Sequence, residues 1–293
     1  MVLTVDRGRY NVLVGETEVS AMRARELGRK AVAVGDRVSV VGEVSSEPDA
    51  LVRIVRIAER TTVLRRTADD TDPYERVIVA NADQLIVVAA LADPPPRYGL
   101  IDRAIVAALS AGLEPVLCLT KADLVDSADP VIERYQPLDV PVLVTRQGGD
   151  LTELKTRLAN QMSVLVGHSG VGKSTLINAL VPDAYRLTGV VGATGLGRHT
   201  SVSAIALELP DHGGWVIDTP GVRSFGLAHV SADDLIWAFP DLEDGTNTCP
   251  PGCEHLSADA GCTLDAWVAA GNSTPDRLAA FRRLLVSRMS AGE

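Results

Sequence analysis

Residues Gly167-His168-Ser169-Gly170-Val171-Gly172-Lys173-Ser174 fit the pattern G-x-x-x-x-G-K-[ST]. Glycines at these places let successive backbone N–H groups converge on phosphate oxygens, and the helix expected to follow adds the positive end of its dipole. In such a loop Lys173 reaches the β- and γ-phosphates and Ser174 ligates Mg²⁺, with Thr175 completing the nucleotide contacts. Downstream, Asp218-Thr219-Pro220-Gly221 follows the apolar stretch Trp215-Val216-Ile217. A carboxylate at such a strand end suits coordination of Mg²⁺, and the Gly221 amide is placed to sense a γ-phosphate. A third motif, Thr120-Lys121-Ala122-Asp123, also follows a buried strand. Asp123 could accept from the N1 and N2 edge of guanine, which adenine does not offer, so this one carboxylate can set base choice. The aliphatic stem of Lys121 would lie on the base face.

The order of these motifs is permuted. The guanine-reading set precedes the phosphate loop, where in most nucleotide switches it comes last. Between the phosphate loop and Asp218 lies Gly189-Val190-Val191-Gly192-Ala193-Thr194-Gly195-Leu196-Gly197-Arg198-His199-Thr200-Ser201, too rich in glycine for a packed element. It reads as a switch loop, with Thr200, or failing it Ser201, as the second hydroxyl ligand of Mg²⁺. After Gly221 stands Val222, where many GTPases place a glutamine that orients the attacking water. A valine cannot hold that water, so intrinsic hydrolysis is expected to be slow or to use another group. His199 and His168 are the candidates, loop bracing being their alternative role.

Cys249, Cys253, His255 and Cys262 form a Cys₃His set. Three thiolates and an imidazole favour a closed, tetrahedral Zn²⁺ site that adds folding stability and no catalysis. Cys118 lies in an apolar stretch and reads as core.

Three kinds of element must position these groups. Residues 1–66 show short strand signals at 9–14, 30–34, 37–41 and 51–57, separated by Gly and Asp turns, and predict a small β-barrel of OB type, with an SH3-like barrel as the alternative. Residues 67–228 alternate strands (84–90, 115–119, 140–144, 163–166, 202–209, 215–217) with helices (100–111, 150–158, 173–181), the rhythm of a parallel sheet covered on both faces. Residues 229–293 turn helical at 232–239 and 275–289 around the Cys/His set. The chain has 293 residues and a net charge of −10, which argues against a generally basic nucleic-acid coat but leaves room for a local patch. Residues 1–66 carry twelve Lys/Arg against nine Asp/Glu, whereas 231–270 carry eight acidic residues and no Lys or Arg. The N-terminus lacks a signal-peptide pattern, and the apolar run 85–92 is too short to span a bilayer. A cytoplasmic monomer free of membrane is expected.

Taken together, the phosphate loop with Thr175, Gly197-Arg198-His199-Thr200, Asp218-Thr219-Pro220-Gly221-Val222-Arg223 and the Cys/His cluster resemble the bacterial small-ribosomal-subunit-dependent GTPase A family. That resemblance implies an N-terminal OB barrel, a circularly permuted α/β GTPase and a C-terminal helical zinc domain. It implies hydrolysis of GTP to GDP, stimulated by the 30S subunit and its 16S rRNA in late subunit maturation, and it makes His199 the catalytic histidine. There are departures. Thr120 replaces the family's usual Asn, removing an amide that braces the loop and lowering the expected guanine affinity. Val144-Thr145-Arg146-Gln147-Gly148 replaces a Ser-Ala type bracing loop, and the zinc region is acidic where an RNA-binding tail would be basic. Arg23, Arg25, Arg29 and Lys30 of the barrel are candidate rRNA contacts, or an ordinary solvated face. Two further readings are a nucleotide-dependent RNA-binding module in which hydrolysis is incidental, and a small-molecule kinase, which would need no guanine motif.

Overall fold

The computed structural model describes residues 1–6, 8–28, 32–45, 50–66, 76–182, 184, 204–210, 213–219, 225, 227, 230–258 and 261–289. Five short strands come first: β1 (Val2–Asp6), β2 (Arg9–Val14), β3 (Thr17–Arg23), β4 (Val38–Val41) and β5 (Leu51–Ile57). β1, β2 and β3 form an antiparallel meander, β3 pairs in parallel with β5, and β5 pairs antiparallel with β4. Inward residues alternate with exposed ones, so Val2, Tyr10, Val12, Val19, Ala21, Val52 and Ile54 share one small core. The segment before β4 folds back on β1, where the Val2 amide donates to the Asp36 carbonyl and the Gly35 amide to the Val2 carbonyl, each at 2.9 Å. The strand order β1-β2-β3-β5-β4, with the chain before β4 returning onto β1, is the arrangement of an OB-type barrel. The strand expected at 30–34 lies partly outside the described residues, and of the rest only Val34 makes a bridge, to Val79. β1 and β3 are additional to the strands expected.

Gly35 shows why that return needs glycine. Its φ is +87°, and a Cβ there would stand 2.0 Å from the Ala80 carbonyl oxygen. Ala80 ends β7 (Arg76–Ala80), which pairs with β6 (Val63–Arg66) in a separate hairpin. The neighbouring Asp36 is fully buried and accepts from the Ala33 amide at 2.8 Å and from Arg60 at 2.7 and 2.8 Å. Asn81 adds a bond to the Gly35 carbonyl at 3.0 Å, so the barrel is held directly to the hairpin.

The main sheet follows. β8 (Gln84–Ala90), α1 (Tyr98–Ser110), β9 (Glu114–Thr120), α2 (Asp129–Tyr135), β10 (Val142–Val144), α3 (Thr152–Leu158), β11 (Met162–Val166), α4 (Lys173–Leu180), β12 (Ile205–Glu208) and β13 (Trp215–Asp218) follow in turn. The order across the sheet is β10-β9-β8-β11-β13-β12, parallel except for β12. β12 then pairs with β1 at Ile205 and Thr4, so the barrel and the sheet are joined by a strand ladder. β8 is buried at every residue because both faces are covered. Leu85, Val87 and Ala89 pack with α1 on one face, and Ile86, Val88 and Ala90 pack with α3 and α4 on the other.

The helical tail contains α5 (Asp233–Ile236), α6 (Pro240–Glu243), α7 (Leu264–Ala269) and α8 (Pro275–Met289). Of the helix expected over 232–239 only 233–236 forms, as α5, and a second short helix, not expected, follows from Pro240. Pro240 starts α6, and Phe239 before it is pushed out of helical geometry to φ −128°, ψ 66°. Phe239, Leu278, Phe281, Leu284 and Leu285 belong to the same buried cluster as Ile101 and Ile105 of α1. The C-terminal helix therefore packs on the core of the main sheet. Among the described residues, no helix is long and apolar enough to cross a membrane.

Candidate nucleotide site and metal centre

Three motifs expected from the sequence lie at the carboxyl ends of neighbouring parallel strands, the edge where open α/β sheets bind ligands. β11 runs into the phosphate loop, β13 ends at Asp218, and β9 ends at Thr120, with β8 between β9 and β11. The loop is shaped by close approach. A Cβ on Gly167 would lie 2.6 Å from the Val88 carbonyl oxygen, and Gly170 and Gly172 have φ of +86° and +90°. Gly172 caps α4, which places Lys173 in the first turn with Ser174 and Thr175 exposed beside it, while Val171 is buried beneath. His168 is half-buried, and its Nδ1–H donates to the Ser169 carbonyl at 2.7 Å, bracing its own loop.

The Lys173 ammonium is ion-paired with Asp218, both largely buried, and lies 3.5 Å from the Thr219 carbonyl. Thr219 in turn donates to the Leu165 carbonyl at 2.7 Å, fixing the end of β13 to β11. A cation and a carboxylate held together here are the groups that a phosphate and a divalent cation would each engage. His199, Thr200 and Gly221, with the whole of 185–203 and 220–224, lie outside the described residues.

Thr120 occupies the corner between the motifs. It is buried, and its hydroxyl donates to the Val171 carbonyl at 2.5 Å. The bracing expected to be lost with an asparagine is thus supplied by a hydroxyl. Lys121 adopts φ +58° and donates to the Asp93 carbonyl. Asp123 is exposed, and its carboxylate accepts from the Gln147 amide at 3.3 Å. The Ala122 amide donates to the Thr145 carbonyl at 3.2 Å, and the Thr145 amide to Leu119 at 2.7 Å. The loop after β10 is therefore bonded to the 120–123 segment through backbone groups. Backbone partners of this kind leave no trace in residue type.

The four expected metal ligands converge. One ligand atom from each of Cys249, Cys253, His255 and Cys262 lies within 4.8 Å of all the others. His255 Nδ1 is 3.6 Å from both Cys249 Sγ and Cys262 Sγ, and the two sulfurs are 4.0 Å apart. Metal–sulfur bonds of about 2.3 Å and metal–nitrogen bonds of about 2.0 Å give tetrahedral edges of about 3.5–3.8 Å, so this set fits one ion. The Thr263 amide, not expected as part of the site, donates to Cys249 Sγ at 3.4 Å. Its hydroxyl lies 3.1 Å from that sulfur and 2.7 Å from the Gly245 carbonyl. Arg282 of α8 donates to the His255 carbonyl at 3.0 Å and grips Asp265 with both nitrogens. Such outer partners orient the ligands.

Comparison with known proteins agrees with this geometry. The RsgA GTPase family model matches residues 57–228. The chain is 40% identical over 219 residues to the small ribosomal subunit biogenesis GTPase RsgA of Ectopseudomonas mendocina, covering 72% of this chain and 63% of that protein. It is 37% identical over 270 residues to the protein of the same name from Chlorobaculum tepidum, covering 89% and 86%. The crystal structure of YjeQ from Thermotoga maritima superposes with a TM-score of 0.69 at 26% identity, over 99% of this chain and 97% of that one. That of YloQ, a circularly permuted GTPase, shares the fold with a TM-score of 0.68 at 23% identity, over 98% and 93%. Motifs in permuted order, one sheet edge that gathers them, and these matches lead to one assignment: the chain belongs to the RsgA GTPase family.

Proposed function

We propose that this protein hydrolyses GTP to GDP and phosphate, is stimulated by the 30S ribosomal subunit, and acts late in maturation of that subunit. The observation that carries the reading is the gathering of the phosphate loop, Asp218 and the 120–123 motif at one edge of the parallel sheet, with Thr120 bonded to Val171. The ribosomal part rests on the names of the relatives, which are small-subunit biogenesis GTPases.

In this reading the amides of Gly167, His168, Ser169, Gly170, Val171 and Gly172 cradle the phosphates, and Thr175 adds a hydroxyl near the nucleotide. Lys173 would turn from Asp218 to the β- and γ-phosphates, and Asp218, Ser174 and Thr200 would hold Mg²⁺. Mg²⁺ would neutralise charge that develops on the phosphates as the bond to the leaving oxygen breaks. Thr120, Lys121 and Asp123 hold the guanine. Gly221 contacts the γ-phosphate, and His199 orients or activates the attacking water in place of the glutamine that Val222 replaces. The Cys₃His set holds one structural Zn²⁺, since a closed N/S tetrahedron offers no open position. Residues 1–66, 67–228 and 229–293 act as barrel, GTPase and zinc-bearing domains of a cytoplasmic monomer. Exposed Arg23 and Arg25 supply phosphate contacts to 16S rRNA, while Arg29 and Lys30 lie outside the described residues.

Phosphate release from GTP and from ATP, measured with and without 30S subunits, tests this. Stimulated hydrolysis of GTP alone is the expected result. Tight GTP binding with no hydrolysis under any condition would favour the RNA-binding module, and equal use of ATP would remove the guanine assignment.

A further inference from the structure

The helix α8 acts as a strut between the sheet and the metal centre. On the sheet side, Arg283 donates to Asp102 of α1 at 3.2 Å, and Arg277 donates to the Pro137 carbonyl at 2.8 Å. On the metal side, Arg282 holds the His255 carbonyl, and Arg288 pairs with Glu254, which adjoins His255. Arg288 also donates to the Val230 carbonyl at 2.6 Å.

One side chain of α1 meets this strut and the segment that follows Asp218 at the same time. Arg103 is 5% exposed, and its guanidinium donates to the Phe225 carbonyl at 3.0 Å and to the Ser287 carbonyl of α8 at 3.3 Å. Phe225 itself is 1% exposed and lines a cavity with Gly167, His168, Val171, Ile101 and Ala104. Phosphate loop, Phe225, Arg103 and α8 are therefore contiguous. Arginine suits such a node because its planar fork can serve two acceptors in fixed directions, which a lysine ammonium does not. In a buried site, hydrogen bonds are strong and leaving one unmade is costly, so the two carbonyls tend to move together.

We propose that Arg103 is a positioning residue that ties the segment after Asp218 to α8, so that displacement of Phe225 on exchange of GDP for GTP is carried to the Cys/His centre. The inference rests on the GTPase reading above and adds the route by which nucleotide state reaches the C-terminal helices. Because the chain is permuted, the segment leaving Asp218 leads straight to those helices, and Arg103 gives that covalent link a rigid crossbar.

Amide hydrogen exchange on the full-length, metal-loaded protein tests the proposal, with GDP or a non-hydrolysable GTP analogue bound. In the unaltered protein, protection of α8 and of residues 249–263 should differ between the two nucleotides by about fivefold or more, the lower end of allosteric couplings. Arg103→Lys keeps the buried charge, and Arg103→Gln removes it. Both should bind each nucleotide about as tightly as the unaltered protein, while the difference in α8 disappears. A merely structural role would lower protection with both nucleotides and leave their difference intact, and that result overturns the proposal. So does unchanged α8 protection in the unaltered protein when both nucleotides bind, a measurement that needs no variant. Absence of nucleotide binding to the unaltered protein would overturn the GTPase reading itself, and this inference with it.

Discussion

The Thr120 hydroxyl donates to the Val171 carbonyl at 2.5 Å, linking the end of β9 to the phosphate loop across the intervening strand β8. In the proposed reading, base recognition and phosphate recognition are thereby held in one frame. Thr120→Val keeps the shape and removes the donor, leaving a buried carbonyl unsatisfied at a cost of about 1–3 kcal/mol. Calorimetric titration with GDP should show weaker binding by roughly tenfold, with a lower melting temperature. Unchanged GDP affinity in a folded Thr120→Val protein would mean the two motifs are positioned independently.

Asp123→Ala removes the carboxylate proposed to read guanine. Hydrogen bonds to a charged group contribute about 1.5–3 kcal/mol each, so GTP affinity should fall by on the order of 100-fold while ATP affinity stays as it was. Competition binding with the two nucleotides measures this. The Gln147 amide that now bonds to Asp123 is exposed and can turn to water, so stability should change little.

Lys173→Ala removes one partner of Asp218 and, in the proposed reading, the cation that meets the phosphates. Nucleotide affinity should drop by on the order of 100-fold, since the lost contacts are charge-assisted. Hydrolysis should fall to background. Ser174→Ala should instead retain Mg²⁺-free GDP binding and lose the increment that Mg²⁺ adds, which titration with and without Mg²⁺ will show.

Removing the metal should loosen the C-terminal helices specifically. Elemental analysis should find one Zn²⁺ per chain, and a strong chelator or Cys249→Ser should release it. Binding of structural zinc is folding free energy, so hydrogen exchange should rise first in 244–263 and then in α8, which is held to that region through Arg282. GDP binding should survive, because the phosphate loop and the 120–123 motif lie on other elements.

Stability should also depend on Asp102. Burial in α1 raises its carboxyl above the ordinary carboxylate value, and the cations of Arg283 and Arg134 offset this only in part. A group whose folded value is raised stabilises fully below its unfolded value of about 4, and that contribution is lost as pH rises through the folded value. Asp102→Asn should therefore gain in melting temperature relative to the unaltered protein as pH is raised from 4 towards neutrality. Parallel melting curves across that window, with a constant difference at every pH, would refute this.

How much of this was legible beforehand follows from the range of the interactions involved. The phosphate loop is a contiguous run whose glycines are demanded by local backbone geometry, and the metal ligands are soft donors confined to fourteen residues, so residue type and spacing reveal both. The buried strands of the main sheet carry continuous apolar runs and were readable for the same reason. β1 and β3 were not: β3 is exposed at four of its seven residues, and both strands are fixed by their pairing in the barrel rather than by a long apolar run.

The sequence by itself determined the motifs: the run Gly167 to Ser174, Asp218 after an apolar stretch, Thr120-Lys121-Ala122-Asp123, a Cys₃His set and the permuted order that places the third before the first. Each is specified by side-chain identity over a few residues. Only the tertiary structure decided how these parts are coupled. It put a hydroxyl where an amide was expected to be missed, turned the loop after β10 into a backbone brace, and packed α8 into the core of the sheet with Arg103 across its end. Those contacts join residues up to 184 positions apart, and the hydrogen bonds among them all end on carbonyl oxygens. Every residue carries a carbonyl, so no pattern of residue types could have announced them.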